Sequence, residues 1–397
     1  MSVASPSSTD RSPVAFTLGP RFADLRTRLL HDVVPALDRA LHGVPEEREL
    51  PAVLDAVSAD PADLLDPRAG DLGIRAATVA VEALATGRQS YLVPVLVAAL
   101  ARMPIVLAGD RDQQQRFLVR ARSAPVGAFA MTEPTPGSDV AGLRTTARRD
   151  GEEVVLNGHK RWITIPDRDR LEWLIVWAKP EGSEGHALSC FVVPADTPGL
   201  EIRPHGRPLG MRAVPLCDVV LRDVRVSRDH QLGEDGRAFG LAMRCLNAVR
   251  CIVGARGLGL TARVLMDVAQ DVASREAFGG TLADRQTVRA RIGDLAARLE
   301  AARLITYQAA AIADAGGLGK PEGPLLSASK YLGTELAVEA ATAALHLAGA
   351  RGYDEDATMF ARHLRDAQQL TLVEGVSEVQ LELLGYGVLD RLLWWDA

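Results

Sequence analysis

Glu374 is a carboxylate with little around it to solvate it. Leu372 and Val373 precede it and Gly375 and Val376 follow. Desolvation raises a carboxyl pKa and makes the group a stronger proton acceptor, so the chemistry open to Glu374 is removal of a weakly acidic proton. Read by itself, a Glu beside a Gly is also an ordinary exposed hinge charge. A second stretch, Met131-Thr132-Glu133-Pro134-Thr135-Pro136-Gly137-Ser138-Asp139, has a different use. Gly137 lets backbone approach a ligand closely, and Thr132 and Ser138 bring hydroxyls and N–H groups that suit a polar ring edge or a phosphate. The same residues also make a plain turn.

Groups like these need rigid elements to hold them. Met359, Phe360 and Leu364 set a helical pattern that runs into Leu372, and a second helix opens at Ser377, whose Ser-x-x-Gln spacing to Gln380 predicts a capping box. Glu374 therefore lies in the break between two helices. Upstream, Phe22, Leu25, Leu29, Val33, Leu37 and Leu41 keep helical spacing, with Pro35 expected to bend or divide the helix. After a Pro-rich acidic connector, helical patterning returns from about Ile74 to Leu107, broken at Gly87 and Pro94, and again over Gln113 to Arg120. At Val126 the character changes to short β-branched and aromatic runs, at Val126 to Met131, Glu153 to Leu156, Trp173 to Ala178, Leu188 to Val193 and Asp218 to Val226. Asn157-Gly158 is predicted as a tight turn before His159 to Thr164. Beyond Gly233 to Gly236, helices are expected over Phe239 to Gln270, Thr287 to Ala315 and Leu325 to Ala348, and then on both sides of Glu374 as far as Trp395. The expected order is a disordered tail at 1–14, a helical domain at 15–124, a β domain at 125–232 and a helical domain at 233–397.

Composition narrows the partners. The 397 residues carry 45 Lys+Arg against 51 Asp+Glu, a net charge of -6, so nucleic acid and anionic membrane are not expected partners. Cys190, Cys217, Cys245 and Cys251 lack CxxC or Cys/His ligand spacing, and the eight histidines form no HExxH. They read as reduced thiols of a cytoplasmic protein with no metal site. Met1 to Pro13 is Ser/Pro-rich without an apolar core, which predicts a tail and not a signal peptide. The longest apolar candidate for a membrane span, Tyr91 to Met103, is short and contains Pro94.

Several motifs occur together: Thr-Glu-Pro-x-x-Gly-Ser-Asp from Thr132, Asn157-Gly158-x-Lys160-x-Trp162-Ile163-Thr164, Arg275-x-x-Phe278-Gly279 with Gln286, Arg365-Asp366-Ala367, and Glu374-Gly375. In this order and spacing the chain resembles the acyl-CoA dehydrogenase family over residues 109 to 397. The resemblance implies a multidomain α and β fold, with an N-terminal helical domain, a middle β-barrel-like domain and a C-terminal four-helix bundle. It implies FAD held between the β domain, the bundle and a neighbouring subunit, and hence a homo-oligomer, dimer or tetramer. Phe129, Met131, Thr132 and Ser138 match positions at the flavin ring and its approach, and Trp162, Ile163 and Thr164 match the segment packed on the flavin. Arg275, Phe278 and Gln286 match positions that reach the FAD of the adjacent subunit, Arg275 toward the pyrophosphate. Leu345 to Tyr353, with His346 and Gly349, resembles the loop that supports the same pyrophosphate, and Ser377 is carried over as a further cofactor contact.

The same resemblance implies that Glu374, nine positions after Arg365, is the catalytic base. Some relatives place the base on an earlier helix at the position of Val249, which cannot take a proton. Arg250, next to it, is a candidate for shaping the substrate site. The implied reaction is α,β-dehydrogenation of an acyl-CoA or acyl-carrier-protein thioester to the 2-enoyl thioester. Its enolate charge would meet the backbone N–H of Glu374 and a ribityl hydroxyl, its hydride would go to flavin N5, and its electrons to an electron-transferring flavoprotein or similar acceptor. A flavin oxidase or monooxygenase on the same fold and a non-catalytic assembly subunit are the alternatives. The chain departs from the family pattern at His346 for Gln, Ala350 for Gly, Ala277 for Thr, Val376 for Thr and Ile165-Pro166 after Trp-Ile-Thr, and the family's acyl-pocket segment is not recognisable before Met103.

Overall fold

A computed structural model of the chain describes residues 19–49, 73–118 and 127–390. The expected tail, most of the Pro-rich connector, Val119-Arg120, Val126 and the chain end at Trp395 lie outside these residues.

The first helical pattern is one long helix interrupted. Helix α1 (Pro20–Arg28) passes through a π-helical turn at Leu29–Val33 into α2 (Val34–Ala40), where Pro35 stands in the first turn. The Val34 N–H reaches back five residues to the Leu29 carbonyl, a widening that divides the helix as the proline predicts. Helices α3 (Gly73–Leu84), α4 (Val93–Ala108) and α5 (Arg111–Leu118) follow. Contrary to the sequence expectation, one stretch among the described residues, Gln89–Ala108, is long and apolar enough to cross a membrane by length and composition. Most of it is buried inside the fold, because α4 packs on the first strand and on the long helix that begins at Phe239.

The β region is an eight-stranded sheet. Its strands are β1 (Gly127–Ala130), β2 (Thr146–Asp150), β3 (Glu153–Thr164), β4 (Trp173–Pro180), β5 (Ser189–Pro194), β6 (Leu200–Pro204), β7 (Leu216–Ser227) and β8 (Gln231–Leu232). They run in the order β6-β7-β3-β2-β4-β5-β8, with β1 added parallel to β4. Strand β4 shows why both of its faces had to be apolar. Trp173, Ile175 and Trp177 enter a core shared with the helices, whereas Leu174, Val176 and Ala178 enter a second core inside the sheet domain.

The sequence misplaces one feature here. Asn157-Gly158 is not a tight turn: β3 continues through it as one 12-residue strand, with a register shift against β7 between Leu156 and Gly158. The bulge is fixed by Asn157, whose amide donates to the Asp223 carboxylate at 3.0 Å while its carbonyl oxygen accepts from the Asp223 N–H at 2.8 Å. Gly158 is required because a Cβ there would collide with the Thr145 side chain.

The rest is helical: α6 (Phe239–Ser274), a small hairpin of β9 (Glu276–Ala277) and β10 (Gly280–Thr281), α7 (Gln286–Asp314), α8 (Gly323–Ala348), the short α9 (Ala350–Tyr353), α10 (Phe360–Leu372) and α11 (Ser377–Leu389). Helices α6 and α8 meet backbone to backbone. A side chain at Gly254 would strike Ser329, one at Gly257 would strike the Gly333 carbonyl, and one at Gly333 would strike the Gly254 carbonyl. This glycine contact fixes how α6 and α8 face each other, and with it the residues one to two turns away, Arg250 and Lys330.

Candidate active site

Glu374 sits in the four-residue break between α10 and α11 with φ at 54°, in the left-handed region that a non-glycine residue rarely enters. Gly375 follows with φ at 94°, and a Cβ there would press on the Gln380 amide. The expected capping box is absent. Val376 is the N-cap, Ser377 is already helical and donates its hydroxyl to Glu335, and Gln380 donates to the Gly375 carbonyl at 2.9 Å. The two side chains that would have capped α11 instead tie the Glu374 loop to α8 and to itself.

The surroundings of Glu374 are cationic without pairing it. Among the described residues no cation lies within ion-pairing distance of its carboxylate. Burial pushes its pKa above the ordinary carboxylate value, opposed by the charges of Lys330, Arg250 and Arg256 in that order. Arg250 is buried. It donates to the Asn247 side-chain oxygen at 2.6 Å and the Ser327 hydroxyl at 3.2 Å, its Nε has no partner among the described residues, and burial pulls its pKa down to about 10. Arg256 is buried two turns beyond Val249 on the same face of α6, donating to Gln89 at 3.0 Å and to the Met211 sulfur at 3.3 Å. Lys330 belongs to none of the sequence motifs. It is the only Lys or Arg in α8, it is fully buried, and burial brings its pKa down to about 8.

The Arg365-Asp366-Ala367 motif turns out to be a docking device. The Met211 N–H donates to Asp366 at 2.6 Å, Arg365 donates to the Leu209 carbonyl at 3.1 Å, and a Cβ on Gly210 would collide with the Arg365 carbonyl. The loop before β7 is thereby pressed onto α10, which carries Glu374 at its end.

The motifs of the β domain form a single clamp. Lys160 and Glu133 are both buried and pair at 2.8 Å, and Lys160 also donates to the Met131 carbonyl at 3.1 Å. Glu133 accepts in addition from the Arg144 and Thr145 N–H groups and the Thr145 hydroxyl. Burial would raise the Glu133 pKa, but the Lys160 charge and these bonds hold it below the ordinary carboxylate value, and burial brings Lys160 to about 8. The clamp orients the Thr132 to Ser138 loop. The Thr132 carbonyl accepts the Arg161 N–H at 2.9 Å, beside Trp162, which has φ at 57° and is 48% exposed. Ile163 and Met131 are buried, Phe129 lies 5.7 Å from the Trp177 ring, Thr132 and Thr164 are half-buried, and Ser138 is exposed.

The remaining nominated residues are carried by the bundle. Arg275 donates to the carbonyls of Leu347 at 3.3 Å and Ala348 at 2.7 Å, and Gly349, with φ at 63°, leaves open a space where a Cβ would stand 3.5 Å from the guanidinium. This is a cradle of backbone beside a fixed positive charge, and it fits a phosphate. His346 and Gln286 are exposed, and Phe278, at the tip of the β9–β10 hairpin with φ at 57°, is 87% exposed. Among the described residues five non-glycine positions have positive φ, and Trp162, Phe278 and Glu374 are three of them. An aromatic platform on the β domain and a phosphate cradle on the bundle are the two kinds of surface a flavin dinucleotide needs.

The profile of the acyl-CoA dehydrogenase middle domain matches residues 128–224, and that of the acyl-CoA dehydrogenase C-terminal domain matches residues 236–389. A probable acyl-CoA dehydrogenase, fadE25, of Mycobacterium leprae is 31% identical over 317 residues, covering 79% of this chain and 80% of its own. Among solved structures, the butyryl-CoA dehydrogenase of Megasphaera elsdenii superposes with a TM-score of 0.81 at 26% identity, over 96% of this chain and 99% of that one. The prolyl acyl carrier protein oxidase AnaB superposes with a TM-score of 0.79 at 24% identity, over 92% and 97%. The chain belongs to the acyl-CoA dehydrogenase family, whose members are oxidoreductases that bind FAD.

Proposed function

We propose that the protein is an FAD-dependent dehydrogenase of an acyl thioester, carried on coenzyme A or on a carrier protein, and that Glu374 removes the Cα proton. The observation that carries this reading is the state of Glu374 itself: a carboxylate without an ion-pair partner among the described residues, held in a left-handed backbone conformation and desolvated so that its affinity for a proton rises. When bound, FAD supplies the acceptor for the Cβ hydride. Phe129, Met131, Thr132, Ser138, Trp162, Ile163 and Thr164 would hold the ring region. Arg275, Phe278, Gln286, His346 and Gly349 would hold the dinucleotide of a neighbouring subunit, with Ser377, whose hydroxyl donates to Glu335, as a further contact. Arg250 and Arg256 would add positive potential where enolate charge develops.

The division at 124/125 and 232/233, a cytoplasmic location, a homo-oligomer and an electron-transferring flavoprotein as acceptor belong to the same proposal. An anaerobic screen of acyl-CoA and acyl-carrier-protein thioesters for bleaching of the oxidised flavin band tests it. Bleaching by at least one saturated thioester, with the 2-enoyl product, is expected. A purified protein without flavin, or one whose flavin no thioester reduces, contradicts it. The oxidase reading has only fold-level likeness on its side, and stoichiometric peroxide with air as sole acceptor would select it.

A further inference from the structure

Lys330 has no part in the scheme above, yet it is a fully buried ammonium without a carboxylate in contact among the described residues. Its Nζ donates to the Thr371 carbonyl at 3.4 Å. Thr371 lies in the last turn of α10, three residues before Glu374. Helix α8 carries Lys330 and packs on α6, α10 and α11 together, so the amine is enclosed by the elements that build the Glu374 loop. The glycine contact at Gly254, Gly257 and Gly333 leaves α8 little freedom to shift against α6.

We propose that Lys330 is a positioning residue for Glu374: its ammonium fastens the end of α10 through Thr371 and supplies the buried positive charge that keeps the carboxylate in its proton-accepting form. The inference rests on the reading of Glu374 as the base.

The charges around the pair are Arg250 and Arg256 from α6, Glu335 from α8 itself and Glu378 from α11. Of these, Glu374 exerts the largest charge effect on Lys330, and Lys330 the largest on Glu374. Arg250 already donates to Asn247 and Ser327, and Glu335 already accepts from Ser377. An offset cation suits a base better than a contacting one. A direct ion pair would occupy the oxygen that must accept the proton and would lower its basicity, whereas a cation beyond ion-pairing distance stabilises the anion and leaves its lone pairs open.

The sign follows. Burial raises the Glu374 pKa and Lys330 opposes the rise, so removing the ammonium moves that pKa further up. The rate of flavin reduction, which needs ionised Glu374, then begins to climb at higher pH. In Lys330→Met holoenzyme the ascending limb of the reduction rate against pH should move up by on the order of one pH unit. That is roughly tenfold slower reduction on the acid side, with rates converging at alkaline pH. Lys330→Arg should restore most of the limb. Infrared titration of the carboxyl stretch of Glu374, identified by its loss in Glu374→Gln, should show the same displacement in enzyme without substrate, a readout independent of turnover.

A lower rate at every pH with an unmoved limb and an unmoved carboxyl titration would overturn the proposal and leave Lys330 a packing residue. If Lys330→Met fails to fold, the infrared titration of Lys330→Gln and Lys330→Arg decides, since only the charge-removing variant should displace Glu374. Failure of the underlying reading looks different: Glu374→Gln would then reduce its flavin at the wild-type rate.

Discussion

Two lysine–glutamate couples in this molecule, each built on a buried lysine, have opposite fates. Lys160 and Glu133 touch at 2.8 Å, and Glu133 is held below the ordinary carboxylate value by the contact and by three further donors. Lys330 and Glu374 do not touch, and Glu374 is pushed above it. Both lysines are brought by burial to about 8. The difference lies in how the carboxylate oxygens are occupied. Every donor that satisfies Glu133 makes it a better fastener and a poorer base, and each donor withheld from Glu374 does the reverse.

The comparison is broken most violently at Glu374. Glu374→Gln keeps shape and most hydrogen bonding, so flavin content and thermal stability should stay close to wild type, while anaerobic flavin reduction slows by on the order of 10²–10⁴-fold. Rapid mixing with an accepted thioester measures it. A variant within a few-fold of wild type would place the base elsewhere.

At the other couple the effect should fall on stability. Lys160→Met leaves Glu133 buried without its cation, which typically costs about 3–5 kcal/mol, read as a lowered denaturation midpoint and loss of flavin as the Thr132 to Ser138 loop loosens. Unchanged stability would show that Thr145 and the backbone donors suffice alone. The pH dependence follows from the depressed Glu133 pKa. Its share of stability is complete above the unfolded carboxyl pKa and is lost as pH falls through the lower folded value. Glu133→Gln should therefore flatten the acid side of the stability profile, and an identical slope would show that other carboxylates set it.

A smaller effect is expected at the cofactor cradle. Arg275→Ala should weaken FAD binding roughly tenfold to a hundredfold by removing a charge-assisted contact, with the β domain folded, as equilibrium flavin titration would show. Full FAD occupancy in a protein shown to be monomeric would contradict the assignment of Arg275 to a neighbour's cofactor.

Much of the architecture was legible because hydrophobic period is a local signal. The long helices from Phe239 to Ala348 and the strand at Trp173 follow directly from it. Strands β2 and β6 are not legible in the sequence because Thr146–Asp150 is Arg-rich and Leu200–Pro204 is short with charged residues, so neither has apolar alternation to show. Asn157-Gly158 misled because its turn chemistry is spent on a bulge set by Asp223, 66 residues away.

The site was nominated by motif, but its mechanics depend on pairings no local pattern contains. Glu133 finds Lys160 across two strands, Asp366 finds the Met211 N–H from another domain, and Ser377 finds Glu335 in place of a helix cap. Lys330 left a trace, one basic residue in an otherwise small and apolar stretch of α8, which is the mark of a buried charge with a purpose.

The most direct test of the central claim separates proton removal from redox. An acyl thioester whose β-carbon is replaced by sulfur cannot surrender a hydride, so the enzyme can only exchange its Cα proton. Incubation with holoenzyme in deuterated buffer, followed by NMR of the recovered thioester, should show deuterium at Cα with wild type and at least a hundredfold less with Glu374→Gln. Equal exchange by both enzymes would contradict the assignment of Glu374 as the base.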